Sequence, residues 1–457
     1  MDESKANGEL TKTSDHLVIE VLREKGRRDW LTSMEAKINQ QPKLLKESAG
    51  KDSCSIFRVP QSMMEFNHNA YQPHIVSIGP YYHGKQHLQM IQEHKWLYLR
   101  VVLARTNTHG IGLDQLCQVV ALREEAIRES YSETIGIDCH QLIEMMVLDG
   151  CFILELFRRV YQMEATDQDD PILKIAWVLP FIARDLLMLE NQLPFFVLQT
   201  LFNKPILALG ENNVPSLNNL ALEFYRCVIG RPLEILERHE HVHGKHILDL
   251  FRLSLIPPPS QRSEISEDVN LIPSAEKLRR AGIKFKPRKS TESFVDIKFS
   301  DGVLQIPTLT LDDFSCSLLL NCVAFEQFHR HCSTDITTYA TFMGCLINTA
   351  GDAGFLRDKK IIENYVGTDD QVALFFNNIG KDMATDICDS YLSDLFIDVN
   401  KYISKGWHVH WAEFKNTYFA TRWSFISAIA ASMLLILTMI QAFFAVYQYM
   451  KFPQNHI

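Results

Sequence analysis

SFISAIAASMLLILTMIQAFFAV, residues Ser424–Val446, runs for 23 positions without a charged side chain, a proline or a glycine. As a helix rising about 1.5 Å per residue it spans about 34 Å, enough for a bilayer core of about 30 Å with some tilt. Lipid offers no hydrogen-bond partner to a peptide group, so a helix is the form such a segment must take. Trp407, Trp411, Tyr418, Phe419 and Trp423 precede it and Phe443, Phe444, Tyr447 and Tyr449 close it, the placement of interfacial aromatic belts. The competing reading is a buried core helix, but core helices rarely stay uncharged over this length. The stretch therefore predicts one transmembrane helix over 423–447, a short tail over 448–457, and everything else upstream.

Lys401, Lys405, Lys415 and Arg422 precede the span against the single acid Glu413, and only Lys451 follows it, a bias that places the upstream body on the cytosolic side. Which membrane is involved, plasma membrane or endomembrane, is not written in the sequence. Trp407–Trp423 is expected to lie on the bilayer surface. Within the span Ser424, Ala428 and Ser432 recur every fourth residue, a spacing that lets two helices approach closely and form a homo-oligomer, and one equally at home facing lipid.

Upstream, 46% hydrophobic residues and 27 phenylalanines are ample for a large core. A net charge of -9 argues against a nucleic-acid partner, since no basic surplus is available for phosphates. Ten cysteines are scattered singly with no C-x-x-C pair, reading as reduced, mostly buried thiols rather than a disulfide frame or zinc site. The charged N-terminus has no apolar run resembling a signal peptide, and no asparagine stands in an N-x-S/T context.

Residues 1–53 read as a polar N-terminus, an amphipathic helix between Asp15 and Ile38, and a linker. The main domain follows over 54–422. It opens on extended chain and turns through IFRVPQSMMEFNHNAYQPHIVSIGPYYHG, where Pro60, Pro73, Gly79, Pro80 and Gly84 forbid a long helix. Helices are expected from His87 (burying Leu88, Ile91, Trp96 and Leu99), over Leu113–Ser132 with an i,i+4 pair between Glu124 and Arg128, and over Cys139–Val160, whose apolar surround makes it central. Ile172–Phe202 gives two more, broken or kinked at Pro180 and Pro194. Further helices are expected over Asn218–Glu237, Ile247–Leu255 and Ser274–Ala281, the last capped by Ser274. A mobile loop is expected over about 257–272. Phe294–Phe299 and Val303–Leu309 flank Asp301-Gly302 and predict a β-hairpin over 294–309. Helical text resumes from Leu318. The fold class is mainly α, with one small hairpin and the single C-terminal transmembrane helix.

IFRVP, AYQPHIVSIGPYYHG, HKWLYLR, LDGCFILELF, LLMLENQLPFFVLQTLF, PSAEKLRRAGIKFK, GVLQIPTLTLDD, FEQ, CLINTA, IIENYVGTDDQVALFFN and WAEFKNTYFATRWSFISAIAA occur here in one order. In series they resemble the plant family called domain of unknown function 247 (also UPF0481), from about Trp30 to Tyr449. The resemblance implies a largely helical plant protein with a C-terminal single-pass anchor, and no catalytic residues or cofactor to carry over. Some grass members are implicated in self-incompatibility, which implies a recognition role for those members. Tyr82 and Gly344 depart from the pattern, standing where histidine and aspartate are usual.

Asp149, Glu155, Asp185 and Glu190 sit in apolar helical text. Buried carboxylates with displaced pKa values act as acid/base pairs in glycosidases. The plainer expectation is structural pairing with helix ends, with Arg158, Arg159 or Arg184, or with loop amides such as those of SIGPYYHG, because charges are almost never buried unpaired. His239, His241 and His243 would face one side of an extended strand and collect zinc or nickel; a solvated His-rich loop is the competing assignment. His83 beside Gly79, Pro80 and Gly84 forms either a ligand-binding turn or a tight turn packed by Tyr81 and Tyr82. No nucleotide-binding, hydrolase, zinc-protease or kinase motif is present. The sequence therefore points first to protein–protein recognition, signalling or scaffolding at a membrane. An enzyme using the four carboxylates and a self-associating structural membrane protein are the alternatives.

Overall fold

A computed structural model describes residues 25, 27–162, 170–203, 215–229, 242–257, 269–289, 293–381, 387–388, 390–404 and 422–451. Its centre is the helix Cys139–Tyr161. Asp138 starts it by accepting the Gln141 N–H at 3.0 Å, and Arg158 and Arg159 close it at the electronegative end. Leu142, Met146, Phe152, Ile153 and Phe157 are buried on several sides of this helix. Around it pack the helices Gln89–Thr106, Leu113–Ala121, Phe195–Asn203 and Leu217–Ile229.

The expected Leu113–Ser132 helix is two pieces, Leu113–Ala121 and Glu124–Glu129, with the Glu124–Arg128 ion pair in place. The second piece ends because the chain turns to pair with an earlier segment: the Ser55 and Ile56 N–H groups donate to the Ser130 carbonyl, and the Ser132 N–H donates back to Ile56. Pro180 produces no kink. It lies in the first turn of Val178–Asp185, where its missing N–H is not needed. Pro194 stands just before Phe195–Asn203. Trp96, expected in the core, is 46% exposed.

A second helical group comprises Ile247–Leu255, Asp313–Phe328, Asp335–Leu346, Ala350–Asp358, Asp369–Ile379 and Ser393–Ser404. Asp312, Thr349 and Thr368 cap three of these by accepting the N–H three residues on. Ser274 occupies the N-cap position of Ala275–Arg280, but its side chain makes no capping bond. Asp352 instead accepts the Glu276 N–H at 2.9 Å from a neighbouring helix.

The hairpin forms at the expected turn, with shorter strands. β2 (Lys298–Ser300) pairs antiparallel with β3 (Val303–Pro307), Ser300 opposite Val303. Asp301 and Gly302 both have positive φ, 51° and 71°, as a two-residue type I′ turn requires. Two features had no signal in the sequence reading. β1 (Lys284–Arg288) joins β3 in parallel, giving the order β1-β3-β2, and β4 (Leu309–Leu311) pairs in parallel with β5 (Ile362–Asn364).

Residues 27–38 are helical and leave Trp30, Leu31, Met34 and Ile38 exposed. Residues 1–24, most of the 257–272 loop and the pre-span segment 405–421 lie outside the described residues. The last helix, Arg422–Lys451, contains an apolar stretch, Ile429–Tyr447, long enough to cross a membrane.

Replacing Gly302 with valine forces a branched side chain into the left-handed region and against the Tyr402 ring. The expected cost is about 2–3 kcal/mol, read as a lowered denaturation midpoint of the detergent-solubilised protein.

Candidate functional site

Between Val178–Asp185 and Phe195–Asn203 the chain DLLMLENQLP is fully buried yet has no regular helix or strand beyond Asp185. A second segment, 54–82, lies against it; outside the short turns Gln61–Met64 and His68–Ala70 it is irregular, and its stretches 54–59 and 71–82 are mostly buried. Two buried segments without a ladder of their own must satisfy their peptide groups otherwise. Here they do it through each other's side chains.

Asp185 accepts the N–H groups of His74, Ile75 and Val76 at 2.8–3.0 Å. Asn191 receives the Ile78 N–H at 2.7 Å and donates to the carbonyls of Val76 and Asp185. Asp149, reaching in from the central helix, accepts the Gly79 N–H at 2.9 Å and the Lys95 ammonium at 2.6 Å. Lys95 is itself buried and also donates to the Ser77 carbonyl. Glu190 accepts the Val59 N–H at 2.7 Å, the Arg58 guanidinium at 2.9 Å and the Tyr82 hydroxyl at 2.8 Å. Gln192 donates to the carbonyls of Leu186 and Met188 and accepts the Leu248 N–H. Asp149, Asp185 and Glu190 thus converge on one stretch of backbone.

Gly79 sits at the tightest point of this arrangement. Its φ is +71°, and a Cβ there would stand 2.7 Å from the Gln192 carbonyl oxygen and 3.0 Å from the Tyr131 hydroxyl. The turn around it is packed by both tyrosines. Tyr81 meets Tyr131 edge-on and carries the Arg58 guanidinium 4.2 Å from its ring centre. Tyr82 is one of the three residues that donate to Glu190. Gly84 has positive φ, and His83 beside it is exposed.

Glu155 belongs to a different cluster. Arg105 and Arg158 reach it at 2.9 and 2.8 Å and Arg159 at 3.1 Å, while Arg159 also holds Asp170 at 2.8 Å. Burial works against its ionisation, yet the guanidiniums of Arg158 and Arg105 outweigh it and hold the carboxyl below its ordinary value. Arg184 pairs with none of the four; it donates to the Asn69 carbonyl.

The sequence reading did not find a further buried ionic group. Arg252 lies between Asp249 and Glu326, at 3.0 Å from each. Glu326, from the FEQ motif, also accepts the N–H groups of Ile336 and Thr337. Arg58, Lys95, Asn191 and Gln192 were missed as well. A polar residue inside apolar text is the signal that marks such positions, for amides and cations as much as for carboxylates.

In the histidine run, His243 is exposed and His239 and His241 lie outside the described residues. His246 is buried and caps Ile247–Leu255: Nδ1 accepts the Asp249 N–H and Nε2 donates to the Ser55 carbonyl, both at 3.1 Å. Burial lowers its pKa to about 4, so the ring is neutral. Among the described residues no three His, Cys, Asp or Glu side chains gather as a metal site. Of the cysteines, Cys54, Cys151, Cys316 and Cys322 are buried and free, whereas Cys139 and Cys388 are exposed.

An apolar groove of about 520 Å³ opens where Gln89–Thr106, Leu113–Ala121 and the start of the central helix meet. Trp96, Leu99, Leu113, Cys117, Ile143 and Val147 line it, with Gln118, His140 and Glu144 contributing polar groups. In the C-terminal helix, the side chains of Trp423, Ser424 and Ala428 lie outside the described residues, and Ser432, Phe444 and Tyr447 are exposed.

Fold and site together define a helical body, knit by buried side-chain-to-backbone bonds, followed by an exposed apolar helix. The chain belongs to the DUF247 family, described as plant protein of unknown function, whose model matches residues 56–437. It is 41% identical over 436 residues to UPF0481 protein At3g47200 of Arabidopsis thaliana, covering 90% of each chain. It is 22% identical over 486 aligned positions to Putative UPF0481 protein At3g02645 of the same plant, covering 86% of this chain and 90% of that one. No solved structure matches the chain.

Asp185→Ala orphans three buried N–H groups, and the denaturation midpoint is expected to fall by the equivalent of about 3–5 kcal/mol. Asp185→Asn keeps one acceptor oxygen and is expected to cost less. His246 gives a pH dependence of definite sign. Its folded pKa of about 4 lies below the unfolded value of 6.5, so its contribution is complete above pH 6.5. That contribution is lost as pH falls toward 4, by about 3 kcal/mol. Denaturant titrations across this range, compared with His246→Asn, check the slope.

Proposed function

We propose that this chain is a single-pass membrane protein whose helical body serves protein–protein recognition or scaffolding on the cytosolic side. The observation that carries the reading is the final helix. Thirteen large apolar side chains between Ile426 and Tyr447 stand exposed on it. At roughly 1.5–3 kcal/mol for each such side chain left in water, the helix calls for a bilayer or an equally apolar cover. The lysine and arginine bias ahead of it supports the orientation. Recognition, rather than chemistry, is supported by the carboxylates: Asp149, Asp185 and Glu190 hold the 58–82 backbone, and Glu155 is clasped by three arginines. The groove beside Trp96 and Leu113 is the apolar surface best suited to a protein partner.

An N-terminally tagged chain in sealed microsomes tests the anchor and its orientation. It is expected to resist alkaline carbonate extraction, and the body is expected to be digested by added protease without detergent. Release into the carbonate supernatant would remove the anchor reading. Protection from protease would place the body in the lumen or outside the cell. For recognition, Leu113→Arg at the exposed groove rim is expected to leave the denaturation midpoint unchanged and to remove protein neighbours captured by a photo-crosslinker in the groove. Unchanged neighbours would exclude the groove.

A further inference from the structure

Lys277–Lys289 holds seven Lys or Arg and no Asp or Glu, in a chain whose net charge is -9. The fold places its first three cations on the helix Ala275–Arg280 and displays Lys284, Lys286 and Arg288 on the three-stranded sheet. In β1, Lys284 and Lys286 point outward while Phe285 between them is buried. Lys286 stands beside Gln305 of β3, and Gln305 stands beside Lys298 of β2, so both outer strands present lysine to the same open face. Lys284, Lys286, Lys289 and Lys298 are exposed and make no ion pair among the described residues, whereas Arg288 is held by Asp296 at 2.6 Å and Arg279 and Arg280 by Glu276.

The same sheet supports the element that leads to the span. The helix Ser393–Ser404 packs on β2, Tyr402 meeting Phe299 edge-on with ring centres 5.7 Å apart. Phe299 and Leu304 pair on the covered side of the sheet, so this packing leaves the lysine face open. From Ser404 to Arg422 is 18 residues, a tether of at most about 60 Å even when extended. Lysines at sheet edges also discourage strand addition. That role needs one charge on each edge and leaves the flanking Lys277 and Lys289 unexplained.

We propose that the lysine face of this sheet docks on the anionic headgroups of the leaflet next to the anchor, seating the body against the membrane. The proposal rests on the anchored reading above. Cytoplasmic leaflets carry the anionic lipid that four or more clustered cations recognise, and the tether keeps the face within reach of it.

The test is reductive methylation of lysines, followed by mass spectrometry, on the full chain in nanodiscs of phosphatidylcholine alone or with phosphatidylserine. Lys284, Lys286, Lys289 and Lys298 are expected to react at least about fivefold more slowly in the anionic discs, the factor equivalent to one lysine–headgroup contact. Lys51, in the N-terminal linker, serves as the control and should not change. In the triple variant Lys284→Glu, Lys286→Glu and Lys298→Glu, the slowing at Lys289 is expected to be lost. Equal rates in both discs, with the chain co-eluting with both, would overturn the lipid contact and leave the anchor standing. A chain that co-elutes with neither disc would overturn the anchor itself. Slowing by a soluble polyanion such as inositol hexaphosphate, but not by anionic discs, would overturn the proposal in favour of a soluble phosphate-bearing partner.

Discussion

The constraint on which this structure depends is the hydrogen-bonding demand of two segments whose buried stretches are neither helix nor strand. A helix satisfies its peptide groups internally, whereas the buried stretches 54–59 and 71–82 of the first segment and residues 186–194 of the second run through the core without that provision. Each N–H left unmet there would cost about 1–3 kcal/mol. Asp185, Glu190, Asn191 and Asp149 meet the demand with side chains, and the solution fixes the surroundings. Asn321, on the helix Asp313–Phe328, accepts the Leu189 N–H and donates to the Ala70 carbonyl, tying the second helical group to both segments. Gln192 does the same for the start of Ile247–Leu255 through the Leu248 N–H.

That arrangement explains which parts of the fold were legible in the sequence. Cys139–Tyr161 was readable, to within one residue, because its text is apolar nearly all round. The hairpin turn was readable because Asp301-Gly302 is one of few dipeptides that accept two positive φ values. β1 and β4 were not, since each pairs in parallel with a strand distant in sequence, β3 and β5, and parallel pairing leaves no turn signature. Trp96 was misplaced because periodicity identifies an apolar stripe but not whether a neighbouring helix covers it. Leu113–Ala121 stops short and leaves the groove.

The candidate site was legible in part for the same reason. A carboxylate in apolar text is conspicuous, so Asp149, Glu155, Asp185 and Glu190 stood out, and loop amides of SIGPYYHG were among the partners considered. Glu155 does meet the neighbouring Arg158 and Arg159, but what pairs with Asp149, Asp185 and Glu190 depends on segments 54 to 132 residues apart, and a single sequence carries no such information. Lys95 looked like any polar residue of an amphipathic helix. Only the packing of Gln89–Thr106 against the central helix turns its ammonium inward to Asp149. Arg252 was hidden in the same way, its two carboxylate partners lying 3 and 74 residues away.

These bonds also bear on what kind of work the body can do. A carboxylate whose lone pairs are committed to backbone amides acts on a substrate only after those amides are released, and here release would open the core. Asp185 alone holds three consecutive N–H groups, so freeing it unseats the chain from His74 to Val76. Binding through the surface requires no such disruption. Residues 27–38, the groove at Trp96, the lysine face of the sheet and the C-terminal helix all present exposed side chains without disturbing the interior. Under the recognition role proposed above, a rigid interior bearing several distinct outward surfaces would serve as an interaction platform. In such a platform the buried ionic bonds matter to function through the geometry they impose on those surfaces.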